Sequence, residues 1–150
     1  MAQQEGLVFD AIVKSFGGTQ ALKSVSLRVA RGEIVALLGR NGAGKTTSFR
    51  MAIGMITPEA GSVHFDGSEV TFLPMWKHAK AGMGYLSQEP SVFQRLTVEE
   101  NLLAILQTLP GVSRAEQRRR CDALMEQFGL KVKAREEART CSGGERRRLE

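Results

Sequence analysis

The chain has 150 residues, 21 basic against 16 acidic, with a net charge of +5 and a pI near 9.6. Hydrophobic residues at 42% and charged residues at 25% exclude a disordered, collagen-like or fibrous polymer and suit one globular domain able to bury about two-thirds of its unfolded surface. The longest wholly apolar run, residues 34–38, falls far short of the roughly 20 residues a bilayer-crossing helix needs, so any membrane association is expected to come through a partner.

Taken in chain order, the first pattern is an alternation in which Val25, Leu27 and Val29 are apolar and Ser24, Ser26 and Arg28 polar. It predicts a half-buried strand of antiparallel type, closed by a turn at Arg31-Gly32. The run over 33–38 then loses all alternation, which predicts a strand covered on both faces, as in a parallel sheet. A glycine-rich loop follows directly. From Thr46 the residues Phe49, Ala52, Ile53 and Ile56 recur at helical spacing until Thr57-Pro58, where proline disfavours helix in its predecessor. Residues 63–65 before Asp66-Gly67 read as a short strand and turn, and residues 83–86 as another buried strand ending at Ser87-Gln88.

After Pro90 the character turns helical. Two Ser/Thr-x-x-Glu capping boxes, Thr97 with Glu100 and Ser113 with Glu116, each open a helical stretch. In the second, Cys121, Leu124, Met125 and Phe128 form an apolar stripe that stops before Gly129. A last helix begins at Ser142 and reaches Glu150. The expected organisation is a β-subdomain with the glycine loop over 1–88 and a helical subdomain over 89–150.

The basic excess favours polyanionic neighbours, but much of it lies in two arginine runs, 118–120 and 146–148, inside helical segments, and reads as solvated helix faces rather than a nucleic-acid surface. Cys121 and Cys141 have no metal-like spacing and nothing near the start resembles a secretory leader, which reads as a reducing cytosolic setting. His64 and His78 read as an ordinary strand residue and an ordinary surface residue.

The stretch from Gly39 to Thr46 fits G-x-x-x-x-G-K-[ST] in the required context, a buried strand before it and a helix after. Gly39, Asn41, Gly42, Ala43, Gly44, Lys45, Thr46 and Thr47 are therefore the candidate triphosphate site. Glycines allow main-chain N–H groups to converge on phosphate oxygens, with the positive end of a helix aimed at the same place. Lys45 would reach the β- and γ-phosphates, and the Thr46 hydroxyl would hold Mg²⁺. The stretch over 141–150, Cys-Ser-Gly-Gly-Glu-Arg-Arg-Arg-Leu-Glu, adds a capping box of Ser142 with Glu145. Gly143 and Gly144 are poor helix residues there, yet they bare N–H groups at the positive end, a second candidate anion site.

With these motifs in place, the chain resembles the ATP-binding subunits of ABC transporters from end to end. The fold so implied is a P-loop NTPase α/β core with an N-terminal antiparallel β-subdomain and a helical signature subdomain. The resemblance implies that Phe16 stacks on adenine, that Gln88 brings its side-chain carbonyl to Mg²⁺ and the attacking water, and that Ser142, Gly143 and Gly144 close in trans over ATP held by a second subunit. It further implies ATP hydrolysis in a homodimer or paired ATPase, transmembrane permease subunits as partners, and a cytoplasmic, membrane-peripheral location. The stretches around residues 73–106 and 142–150 are similar to the ATPases that power lipopolysaccharide export in Gram-negative bacteria, with branched-chain amino-acid importers as the nearest alternative. A translation or DNA-repair factor on the same fold, and a remnant that only binds a partner, are the other classes this pattern allows. Cys141 stands where the family usually has leucine. The family's chain continues past the signature helix into an apolar strand ending in Asp-Glu, so residues 1–150 alone are expected to be poorly soluble and not to turn over ATP.

Overall fold

Val8, Phe9, Ile12, Val13 and Phe16 concentrate β-branched and aromatic side chains near the start of the chain. In the computed structural model, which describes residues 5–150 in two units, Met1–Tyr85 and Leu86–Glu150, they form strand β1 (Glu5–Phe16). This strand was not anticipated from the sequence, because bulges break its alternation. It is central in a four-stranded antiparallel sheet of order β2-β1-β3-β4, between β2 (Thr19–Ala30) and β3 (Ala60–Phe65), with β4 (Ser68–Glu69) outermost. The expected alternation lies on β2, where Val25 and Leu27 pack against the core while Ser24 and Ser26 are exposed. Register shifts fall around Ala11, whose φ is 48° and whose N–H donates to Ser26 Oγ at 2.9 Å. The core of this unit is Phe9, Ile12, Leu22, Met51, Ala52, Val63 and Val70.

Helix α1 (Lys45–Ala52) leaves the glycine loop as expected but ends sooner than Thr57-Pro58 suggested. Gly54 N–H donates to Met51 O at 3.0 Å and Met55 N–H to Arg50 O at 2.8 Å, a closure that satisfies the last carbonyls and turns the chain away. The buried face is also rotated from the expected one. Ser48, Met51 and Ala52 point inward, whereas Phe49 is half exposed. β3 and β4 meet at Asp66-Gly67, the predicted turn. Helix α2 (Met75–Lys80) was not foreseen, and with it His78 departs from its expected surface position: it is 1% exposed. Its Nδ1 lies 3.0 Å from Ala52 O and its Nε2 3.1 Å from Leu73 O, so the imidazole ties the end of α1 to the segment before α2.

Two expected strands do not form. Residues 33–38 and 83–86 run without regular structure, with Ile34 at 97% and Leu38 at 91% exposure. A strand exists through the ladder that pairs its N–H and C=O groups, and the sheet of this unit is antiparallel throughout. Among the described residues no parallel neighbour lies beside either segment, so the apolar run that reads as doubly covered stays mostly exposed, with only Leu37 half-buried.

The second unit is helical: α3 (Val98–Leu106), α4 (Arg114–Gln127) and α5 (Gly143–Leu149), with single 3₁₀ turns at Lys131–Lys133 and Ala138–Thr140. The capping box opening α3 is complete, with Glu100 N–H donating to Thr97 Oγ1 at 3.2 Å and Thr97 N–H to Glu100 Oε2 at 2.8 Å. That of α4 is only half made. Glu116 N–H donates to Ser113 Oγ, but the Glu116 carboxylate turns instead to Arg119 and Arg120. Of the predicted stripe, Cys121 and Met125 are buried, Leu124 is half-buried and Phe128 is exposed beyond the last turn. They pack with Val98, Leu106, Leu130, Ala138, Cys141 and Leu149, so Cys141 fills a core position under the start of α5. Among the described residues no helix is long and apolar enough to cross a membrane.

Candidate functional site

The loop 39–44 reaches α1 through Gly44, whose φ of 86° places it in the left-handed region. Beneath it there is no room for a side chain: a Cβ at Gly44 would come 2.5 Å from Leu22 Cδ2 and 2.8 Å from Ala21 O. Gly42, at φ 84°, has open space instead. The loop thus lies directly on the start of β2. Ser48 anchors the other side of the junction, its N–H and Oγ both donating to Gly44 O, at 2.9 and 3.1 Å. The N–H groups of Lys45, Thr46 and Thr47 belong to the first helical turn and have no intrahelical acceptor by geometry, and that turn carries no acidic residue. Lys45 folds back over the loop, its Nζ donating to Gly39 O at 2.6 Å and Arg40 O at 2.8 Å. A cationic head and the amino end of a helix therefore stand together at the loop, groups of the kind that suit an oxyanion. Asn41, Ala43 and Thr46 are exposed around it, and Thr47 is half-buried.

Phe16 closes β1 at 48% exposure and faces solvent, with Lys14 Nζ 5.6 Å from its ring centre. It pairs with Thr19, while Lys14 pairs with Leu22, the residue against which Gly44 packs. One edge of the sheet thus brings an exposed aromatic face and the glycine loop to the same end of β2. Lys14 also pairs with Glu59 at 3.6 Å, and the Glu59 carboxyl is held below its usual range chiefly by the main-chain N–H of Ser15. Among the described residues no cluster of three or more His, Cys, Asp or Glu could hold a metal ion. The Thr46 hydroxyl is a single hard oxygen donor, which suits a Mg²⁺ that keeps phosphate and water oxygens as its other ligands.

In the second unit, Gln88 is exposed at a bend between Ser87, whose Oγ donates to Glu89 O and whose carbonyl accepts from Arg147 at 2.8 Å, and Pro90. Ser142 caps α5 with both halves of its box present: Ser142 N–H donates to Glu145 Oε2 at 2.7 Å, and Glu145 N–H to Ser142 Oγ at 3.3 Å. The Glu145 carboxyl is held below its ordinary range by that N–H, with Lys133 adding to it, so a negative charge sits beside the helix start. Gly143 and Gly144 are exposed, and a Cβ on either would meet nothing within 4 Å.

Three supports escaped sequence reasoning. Leu22 and Ala21 form the floor under Gly44, and only a structure shows which strand residues a loop rests on. Asn101, buried in α3, has its side chain fully engaged: Oδ1 accepts from Phe93 N–H at 2.8 Å and Nδ2 donates to the carbonyls of Phe93, Leu96 and Thr97. Its signal was an asparagine on the inward face of an otherwise apolar helix. His78 gave no comparable signal.

The family model for the ABC transporter matches residues 22–150. The chain is 42% identical over 144 residues to the lipopolysaccharide export system ATP-binding protein LptB of Haemophilus influenzae, covering 96% of this chain and 60% of that protein. It is 44% identical over 139 residues to a probable ABC transporter ATP-binding protein of Azorhizobium caulinodans, covering 93% of this chain and 49% of that one. The chain thus spans between about half and 60% of the length of these curated relatives. Among solved structures, the ATP-binding cassette MJ1267 of an ABC transporter superposes with a TM-score of 0.84 at 28% identity, covering 97% of this chain and 62% of that one. The fold is that of the ABC ATPase, with its antiparallel β-subdomain, glycine loop and helical subdomain, and the chain belongs to the ABC transporter ATP-binding family.

Proposed function

We propose that this chain binds ATP through the loop 39–47 and serves as the energy-coupling ATPase subunit of an ABC transporter that exports lipopolysaccharide. The observation that carries the reading is the Lys45 ammonium held 2.6 and 2.8 Å from the loop's own carbonyls at the amino end of α1. Those two acceptors hold the cation where an incoming β- or γ-phosphate would exchange with them for a stronger charge-assisted bond. Gly42 and Gly44 shape the loop, Asn41 contributes an N–H group, Ala43 N–H would exchange its bond to Arg40 O at 3.2 Å for one to phosphate, and Thr46 and Thr47 extend the donors into the helix. Phe16 offers its exposed face to adenine, since stacking needs only a π-surface.

Mg²⁺, when bound, would neutralise charge on the triphosphate, with the Thr46 hydroxyl supplying an oxygen to it; the Gln88 side-chain carbonyl, in the second unit, is a donor of the same hard type. Ser142, Gly143 and Gly144 would donate to the γ-phosphate of ATP on a second ATPase subunit, so two nucleotides join a head-to-tail pair and hydrolysis releases it. The pair would sit on the cytoplasmic face of the membrane through permease subunits. Support for lipopolysaccharide as cargo is the 42% identity to the lipopolysaccharide export system ATP-binding protein of Haemophilus influenzae. Titration of a fluorescent ATP analogue tests the central claim: the chain is expected to bind it and Lys45→Ala to lose binding. Equal affinity in both proteins overturns the assignment of the loop.

A further inference from the structure

The beginning of α4 carries an excess of positive charge that the helix itself does not neutralise. Arg114, Arg118, Arg119 and Arg120 share its first two turns with one carboxylate, Glu116. That carboxylate is fully engaged: it accepts from Arg119 at 2.7 and 2.9 Å and from Arg120 at 2.7 Å. The Arg114 and Arg118 side chains, by contrast, have no hydrogen bond or ion pair among the described residues. They stand four positions apart on one face of the helix, where like charges repel, and Arg114 is at the first helical position, where the macrodipole disfavours a cation. The arrangement opposes the stability of the free helix.

The same two side chains line an open cavity of about 460 Å³ together with Leu103, Gln107 and Gln117. No acidic side chain is among these residues. The Gln117 amide is fixed by its hydrogen bond to Val112 O at 3.0 Å, whereas the Gln107 side-chain amide is uncommitted among the described residues. We infer that this cavity between the end of α3 and the start of α4 is a phosphate-binding subsite, with Arg114 and Arg118 as its two guanidinium arms and Gln107 as a neutral donor. Guanidinium forks match the paired oxygens of phosphate, and an anion between them removes the mutual repulsion of the arms. The ligand is a phosphate group, carried either by a soluble molecule or by an anionic phospholipid head group. The subsite is independent of the loop 39–47.

The experiment titrates the full chain with inorganic phosphate and follows residue-resolved NMR signals, so that phosphate at the loop 39–47 is read separately. Saturable shifts are expected at the Arg114 and Arg118 side-chain N–H groups and the Gln107 amide. R114Q/R118Q is expected to weaken this binding by about fivefold or more. R95Q/R135Q, which removes two charges elsewhere in the same unit, should leave it unchanged. Sedimentation with phosphatidylglycerol vesicles, against phosphatidylcholine vesicles, then separates the sources. Recruitment lost in R114Q/R118Q identifies a membrane head group, and no recruitment identifies a soluble phosphate. Non-saturating shifts at these residues, equal weakening in R95Q/R135Q, or vesicle binding without a phosphate response would overturn the inference.

Discussion

Gly44→Ala and Gly42→Ala form a pair that separates two physical effects at the candidate phosphate loop. Both glycines have φ near 85°, at 86° and 84°, so alanine at either position pays the left-handed penalty of about 1–2 kcal/mol. Only at Gly44 does the added Cβ meet something: Leu22 Cδ2 at 2.5 Å and Ala21 O at 2.8 Å. The leucine methyl has some freedom to turn aside. The Ala21 carbonyl belongs to β2, so relief there requires the strand or α1 to shift, an overpacking cost of about 1–3 kcal/mol. Gly44→Ala is therefore expected to destabilise by about 2–5 kcal/mol, against about 1–2 kcal/mol for Gly42→Ala. At a urea slope of about 2 kcal/mol per molar, the first unit's midpoint should fall by roughly 1–2.5 M for Gly44→Ala and under about 1 M for Gly42→Ala. The single tryptophan, Trp76, lies in that unit and supplies the fluorescence signal. Equal midpoints for the two variants would show that Gly44 does not rest on β2, and the account of how the loop is held would be wrong.

Gly143→Asp should leave nucleotide binding and folding intact, because its Cβ meets nothing within 4 Å and an acidic residue suits the first helical position. Light scattering with ATP is expected to show loss of the proposed ATP-dependent pair, and loss of nucleotide binding as well would refute the role in trans. The Glu116 carboxyl is pulled from its ordinary 4.5 to about 2 by hydrogen bonds from Arg119 and then Arg120. A depressed folded value favours the ionised form, so this contribution is complete above pH 4.5 and disappears as pH falls from about 4.5 to about 2. Glu116→Gln should flatten the pH dependence of the helical unit's urea midpoint across that window, as read by circular dichroism; an unchanged slope would assign the acid sensitivity elsewhere. Asn101→Leu removes the acceptor for Phe93 N–H and the donor to three carbonyls, and should destabilise the helical unit by about 1–3 kcal/mol in the same assay. A change under about 0.5 kcal/mol would mean that water replaces those bonds without loss.

The amino-acid order by itself determined the parts whose physics is local. The glycine spacing with Lys45 and Thr46 fixed a loop entering a helix, the Thr97 and Ser142 boxes fixed two helix starts, and Asp66-Gly67 fixed a turn, because each depends on backbone dihedrals and hydrogen bonds within a few residues. Even there, neighbours changed the outcome: Arg119 and Arg120 drew Glu116 away from its box, since three bonds from two guanidinium groups outcompete one from a main-chain N–H.

What tertiary structure alone decided is whatever needs a partner distant in sequence. The apolar runs at 33–38 and 83–86 specify a readiness to be covered, but a strand requires a neighbour, and the described residues supply none. β1 was hidden because its bulges break the period of two, and it is a strand because β2 and β3 pair with it on both sides. That Gly44 must be glycine follows from Leu22 and Ala21 arriving beneath it, and that Phe16 shares its end of the sheet follows from register. Local chemistry named the residues that could grip a phosphate; packing between segments distant in the chain fixed where they stand.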